Sequence, residues 1–215
     1  MKGLRKILLM IVVIMLGVSS TMAQTGDNSH RFVIKTNPLA ALGGPFWVTI
    51  VPVTGEYKVL FEARTMPKQS ITLGASYLGP SLLLNLDELT NEGEEVSGVK
   101  TSGFRGQLMY KFFLSRDTEA PEGLYVGPHF SYASASIASK DNTSNKINMM
   151  KMNFNGIIGY QLITSGGFAL DVFTGLGVKS SKWTPEGDSE EIFDVPFQNK
   201  AAASVAFGFS FGYAF

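Results

Sequence analysis

Two groups of residues in this 215-residue chain are of types that do chemistry. The first is the pair in Pro128-His129-Phe130-Ser131, where His129 could act as the base and Ser131 as the hydroxyl nucleophile of a covalent mechanism. The second is a set of charges at even spacing: Glu56, Lys58, Glu62 and Arg64 in one segment, Arg105 and Lys111 in another, and Lys35 and Asp171 in two more. Charges so arranged can pair into a plug, line an ion path, or hold a small charged ligand. The chain has no Cys, which excludes disulfides, thiolate metal sites and a cysteine nucleophile. No metal-ligand spacing, phosphate loop or nucleophile elbow occurs, and no cofactor is expected.

Both groups sit in segments that alternate with period two, the spacing that puts residues i and i+2 on one face of a strand. Eight such segments are predicted, at 32–41, 53–65, 70–79, 102–114, 123–138, 149–163, 167–179 and 200–215. The last is the most regular. Val205, Phe207, Phe209, Phe211, Tyr213 and Phe215 share one face, and the other holds only Gly, Ala or Ser. In the fourth, Phe104, Leu108, Tyr110, Phe112 and Leu114 oppose Arg105, Gln107 and Lys111; in the second, Tyr57, Val59, Phe61 and Ala63 oppose the charged face. A soluble half-buried strand would put polar groups outside and apolar ones within. Here the wide apolar face suits lipid, and the small or charged face suits the narrow interior of a closed barrel. Met109, Phe113, Ile157 and Phe173 break the pattern by falling on the polar face, and Pro38 and Pro128 fall inside strands, where proline is usually confined to edges or bulges.

The joins alternate in length. Those at 66–69, 115–122 and 164–166 are short and rich in turn residues, whereas 42–52, 80–101, 139–148 and 180–199 are longer. Short turns on one side and long loops on the other are the habit of outer-membrane barrels. At the start of the chain, basic Lys2, Arg5 and Lys6 precede an apolar run from Ile7 to Val18 and small residues up to Ala23, which reads as a cleaved signal peptide over 1–23. The run is too short to span a bilayer as a helix, which takes ~20 residues. A flexible lead over 24–31 and a barrel over 32–215 are expected to follow. Cleavage would remove three basic residues and leave a slightly acidic chain, so no nucleic-acid partner is expected.

The chain resembles small bacterial outer-membrane β-barrel proteins of the OmpA, OmpX or OmpW kind in its signal peptide, strand count, loop asymmetry and terminal aromatic strand. Val33-Ile34-Lys35-Thr36-Asn37-Pro38-Leu39 further resembles the opening of a functionally uncharacterised family of such barrels in Gram-negative bacteria. The resemblance implies an eight-stranded antiparallel up-and-down transmembrane barrel in the outer membrane, with membrane lipid and the barrel-assembly machinery as partners. It also implies that Phe207, Phe209, Phe211, Tyr213 and Phe215 form the signal read at assembly. The peptidoglycan-binding domain of OmpA has no counterpart here, so cell-wall tethering is not implied. One family of lipid A deacylases uses a His-x-Ser pair, which is the enzymatic alternative for His129 and Ser131. Alternation points both side chains to the interior, away from lipid, so a non-enzymatic role is expected.

An eight-stranded barrel is only wide enough inside for its own side chains. Lys35, Glu56, Lys58, Glu62, Arg64, Arg105, Lys111 and Asp171 are therefore predicted to form a lumenal polar network, with Glu56 and Arg105 near the outer end and Glu62 and Lys111 near the periplasmic end. The expected function is structural or surface-interacting, with a narrow channel or ligand carrier as a further alternative. The stretch Ser81 to Leu89 is too apolar for a solvated loop, which makes loop 80–101 a candidate partner surface. Trp47 and Trp183 are expected in outer joins, and Lys100 in a solvated loop.

Overall fold

A computed structural model describes residues 30–48, 51–82, 99–139, 146–186 and 200–215. The predicted signal peptide, nearly all of the lead, most of loop 80–101 and the side chain of Trp47 lie outside the described residues.

The protein is all-β. Among the described residues ten strands form: β1 Phe32–Thr36, β2 Trp47–Val48, β3 Val51–Pro52, β4 Gly55–Met66, β5 Gln69–Gly79, β6 Val99–Phe113, β7 Gly123–Ser139, β8 Lys146–Ile163, β9 Phe168–Glu186 and β10 Lys200–Ala214. Short β2 and β3 pair only with each other. The other eight run up and down, each antiparallel to its neighbours, and β1 joins both β4 and β10 to close the sheet into a ring. Closure matters energetically, because an open sheet of this size would leave two long edges of unpaired backbone groups.

The turn end of the ring holds Pro67-Lys68, 114–122 and the Thr164–Gly167 turn, in which Gly167 takes φ +83° and donates its amide to the Thr164 carbonyl. The longest of these turns tucks beneath the barrel. Ala120 donates its amide to the Pro67 carbonyl, and the Lys68 ammonium donates to the Ser115 and Thr118 carbonyls.

Two strand boundaries differ instructively from expectation. The first strand stops at Thr36 instead of reaching residue 41, since Pro38 has no amide to continue the ladder; Pro38–Ala41 forms a 3-10 helix that turns the chain inward. Pro128 is accommodated within β7. It pairs with Gly156 of β8, while the ladder to β6 skips Tyr110 and Lys111, opposite Pro128 and Gly127.

β6, β8 and β9 also extend further at the loop end than alternation suggested. Lys100 is consequently an exposed strand residue, and Trp183 lies in β9 and packs edge-on against Phe46. In these extensions the two faces exchange character. On β8 the outward residues from Leu162 to Met150 are apolar apart from Gly156, and then come Asn148 and Lys146; on β9 they run from Phe168 to Val178, with Thr174 among them, and then Ser180, Lys182, Thr184 and Glu186. The inward residues change the opposite way, to Ile137, Ile147, Met149 and Trp183, which cluster with Phe46, Leu78, Ala133 and Ala135. The barrel is thus inside-out over most of its height and conventional at its loop end.

Candidate functional site

The candidate site is the barrel interior, which the inward residues divide into layers. Along β6, from the loop end, they are Arg105, Gln107, Met109, Lys111 and Phe113.

Nearest the turn end lies a closed charge ring. The Lys35 ammonium, carried by β1, donates to Glu62 Oε2 at 2.5 Å, Gln161 Oε1 at 2.9 Å and Asp171 Oδ2 at 2.6 Å. The Lys111 ammonium, from the opposite wall, donates to the same three atoms at 3.0, 2.8 and 2.8 Å. Ser70 donates to Glu62 Oε1 and Tyr125 to Asp171 Oδ1 at 2.6 Å, and the Lys111 ammonium sits 4.3 Å from the Tyr125 ring centroid. Two cations thus face two carboxylates. Each ammonium uses all three of its protons on them and Gln161, which is what a dry interior demands of buried charge.

Packed against this ring are the four residues that broke the alternation. Met109, Phe113 and Ile157 join Tyr125 and Ala120 in one buried cluster, with Phe173 against it. Room for such large groups in so narrow a lumen comes from glycine at the paired positions of the neighbouring strands. A Cβ on Gly159 would collide with the Tyr125 ring, and one on Gly208 with the Phe173 ring.

Above the aromatic layer the interior is polar again but differently composed. Glu56 accepts from Arg105 Nη1 at 2.9 Å, Ser76 Oγ at 2.7 Å and Gln107 Nε2 at 3.1 Å, and pairs with Lys58 at 3.3 Å. Arg105 Nη2 donates to Ser131 Oγ at 3.1 Å, and Asn153 Nδ2 donates to the same oxygen at 3.0 Å. The Lys151 ammonium donates to the Pro45 carbonyl at 2.7 Å. A cavity of about 290 Å³ occupies this level.

Of the predicted network, then, Lys35, Glu62, Lys111 and Asp171 meet in one ring and Glu56, Lys58 and Arg105 in a second group. Arg64 joins neither. It pairs with Glu119 of the underlying turn at 2.6 Å, where β4 ends in a bulge. His129 and Ser131 are both buried on the inner face, yet no hydrogen bond joins them among the described residues: the Ser131 hydroxyl accepts from Arg105 and Asn153, and His129 stands edge-on to Phe173. In this arrangement the imidazole does not engage the Ser131 hydroxyl.

Sequence reading places Asn153, Asn155 and Gln161 on the inner face of their strand without assigning them to the network, and does not name Tyr125, Lys151 or Lys179. Their even register with Asp171 and His129 on paired strands is the signal that would have found them. Of the proposed assembly residues, Phe207 and Tyr213 are exposed on the outer wall, Phe209 and Phe211 partly so, and Phe215 closes the ring by accepting the Arg31 and Phe32 amides at 2.9 Å. No protein-family model, curated protein or solved structure matches the chain, so the functional argument rests on this interior and the wall around it.

Proposed function

We propose that this protein spans the bacterial outer membrane as a β-barrel whose lumen is plugged at the turn end, and that its role there is structural or surface-interacting, with lipid as its immediate partner. The observation that carries the reading is the exchange of polarity within single strands. Leu176, 71% exposed on β9, would be costly in water, whereas ten residues further along the same face Glu186 is equally at home only in water. A surface that changes solvent preference at one level on neighbouring strands marks a boundary between lipid and water. The apolar run from Phe168 to Val178 covers ten residue steps. At ~3.4 Å per step and a strand tilt near ~40° this is about 26 Å, close to the ~25 Å band of such barrels.

The charge ring and the aromatic layer support the plug, since Lys35, Glu62, Lys111, Gln161, Tyr125 and Met109 are all buried. Gel migration of detergent-extracted protein before and after boiling tests the fold in its membrane setting. A heat-dependent shift is expected, and protein recovered in the soluble fraction without a shift would remove the reading. Leu176→Arg is expected to cost about 2–4 kcal/mol in a lipid refolding titration, as for a cation near the midplane of a barrel wall. In planar bilayers the protein should give no steady current.

A further inference from the structure

Among the described residues the wall of the barrel is interrupted beside the cavity. β1 reaches β10 through only four residue pairs, Val33–Thr36 with Ala214–Phe211. From Ser210 back to Lys200, β10 is laddered to β9 alone among the described residues. On the other side of the interruption the chain leaves the wall at Asn37 and passes inward through Gly44 and Pro45, where the Gly44 amide bonds to the Thr54 carbonyl. The cavity lies directly behind this seam: its lining runs from Asn37, Gly44 and Pro45 across the interior to the free edge of β10, Ser204 to Ser210.

The lining carries an excess of cations and a set of unpartnered donors and acceptors. Lys58, Arg105, Lys151 and Lys179 all line it. Glu56 pairs with the first two, and neither Lys151 nor Lys179 meets a carboxylate among the described residues. Buried polar atoms without a protein partner also gather here. Both ring nitrogens of His129 and single atoms of Arg105, Asn153, Asn155 and Asn37 are so placed, six of nine such side-chain atoms among the described residues, and all belong to lining residues. His129 and Asn155 are 3% and 1% exposed. Unpaired buried groups are costly: Arg105 Nε and one ring nitrogen of His129 are donors that a phosphate oxygen would satisfy, whereas the oxygens of Asn37, Asn153 and Asn155 are acceptors that would take a hydroxyl of a headgroup.

Ligand shape follows from the opening. At about 290 Å³ the cavity is at the low end for a small-molecule site. It admits a headgroup and not the chains of a lipid. Flanking the seam outside, Val205 and Phe207 are 77% and 75% exposed, and Val205 sits two residues from Ala203, the partner of Val178 at the top of the apolar band. We propose that the cavity binds the acidic, phosphate-bearing headgroup of a membrane amphiphile taken in sideways through the interrupted wall, its acyl chains remaining outside along Val205 and Phe207. This rests on the reading that the wall faces lipid.

The test uses the full chain in neutral detergent and native mass spectrometry, with dioleoyl phosphatidylglycerol, dioleoyl phosphatidylcholine and inorganic phosphate as probes. The expected result is one phosphatidylglycerol retained per chain, with at least about tenfold preference over phosphatidylcholine, and a similar drop in the Lys151→Gln/Lys179→Gln double variant. Ala206→Phe, which fills the seam, should abolish lipid retention. Equal retention of the two lipids, or retention unchanged in the double variant, would overturn the proposal. So would phosphate bound as well as phosphatidylglycerol with Ala206→Phe sparing both, which would mark a free-anion site reached from water. Each variant is checked for its heat-dependent gel shift. A shift without lipid selectivity sinks this inference alone, whereas no shift in the native chain removes the membrane reading and the sideways route together.

Discussion

The two polar levels of the lumen obey the same alternation and end in opposite states. At the turn end, Lys35 and Lys111 meet Glu62 and Asp171, and each ammonium is fully used. At the cavity level, Lys58 and Arg105 share Glu56, Lys151 and Lys179 meet no carboxylate among the described residues, and imidazole and amide atoms are left over there. A level that balances its charges and fills its volume contributes rigidity and has nothing to offer a ligand. One that does neither holds binding capacity at the expense of stability.

The sharpest way to break this contrast is to unbalance the ring. Asp171→Asn leaves two buried ammoniums facing Glu62 alone and is expected to cost about 3–5 kcal/mol in urea unfolding from detergent. A loss under about 1 kcal/mol would mean that water already reaches the ring. Packing gives the next effect. Gly159→Leu must displace the Tyr125 ring and should cost about 1–3 kcal/mol, whereas Ala206→Leu, beside the cavity, should change stability by less than about 0.5 kcal/mol. Arg105→Ala comes third. Glu56 keeps Lys58, Ser76 and Gln107, so the expected loss is about 1–2 kcal/mol, against less than about 0.5 kcal/mol for Lys100→Ala on the outer face. Smallest is Lys179→Gln, which removes a cation from an already cationic level. Its thermal midpoint should stay level or rise slightly, and a fall equal to that of Arg105→Ala would show that the cavity is as tightly coupled as the ring.

Much of the fold was legible because alternation is a local property. Eight strands and the inward direction of Lys35, Glu56, Glu62, Arg105, Lys111 and Asp171 follow from period two, while their up-and-down order came from the resemblance and the alternation of short and long joins. The strand ends were not. At Lys182 and Asn148 the period continues while the polarity of the faces reverses, and a rule that equates outward with apolar reads that reversal as the end of a strand. Pro38 did announce the end of β1, but its consequence, a wall left open behind Asn37, depends on where β10 lies in space. The apparent errors at Met109, Phe113, Ile157 and Phe173 were one feature seen four times. Met109 and Phe113 on β6, Ile157 on β8 and Phe173 on β9 meet in the interior, where Gly159 and Gly208, cross-strand partners of Tyr125 and Phe173, leave room.

The brevity of β1 bears finally on the order in which the molecule forms. From β4 to β10 every ladder joins strands adjacent in sequence, so this seven-stranded sheet assembles by successive hairpins with short loop closures, apart from the longer joins at the loop end. β1 alone pairs across nearly the whole chain, and it contributes five residues to do so. The same five residues that close the ring between β4 and β10 also carry the Lys35 ammonium to its place between Glu62 and Asp171. Closing the barrel and neutralising its centre therefore depend on one short strand.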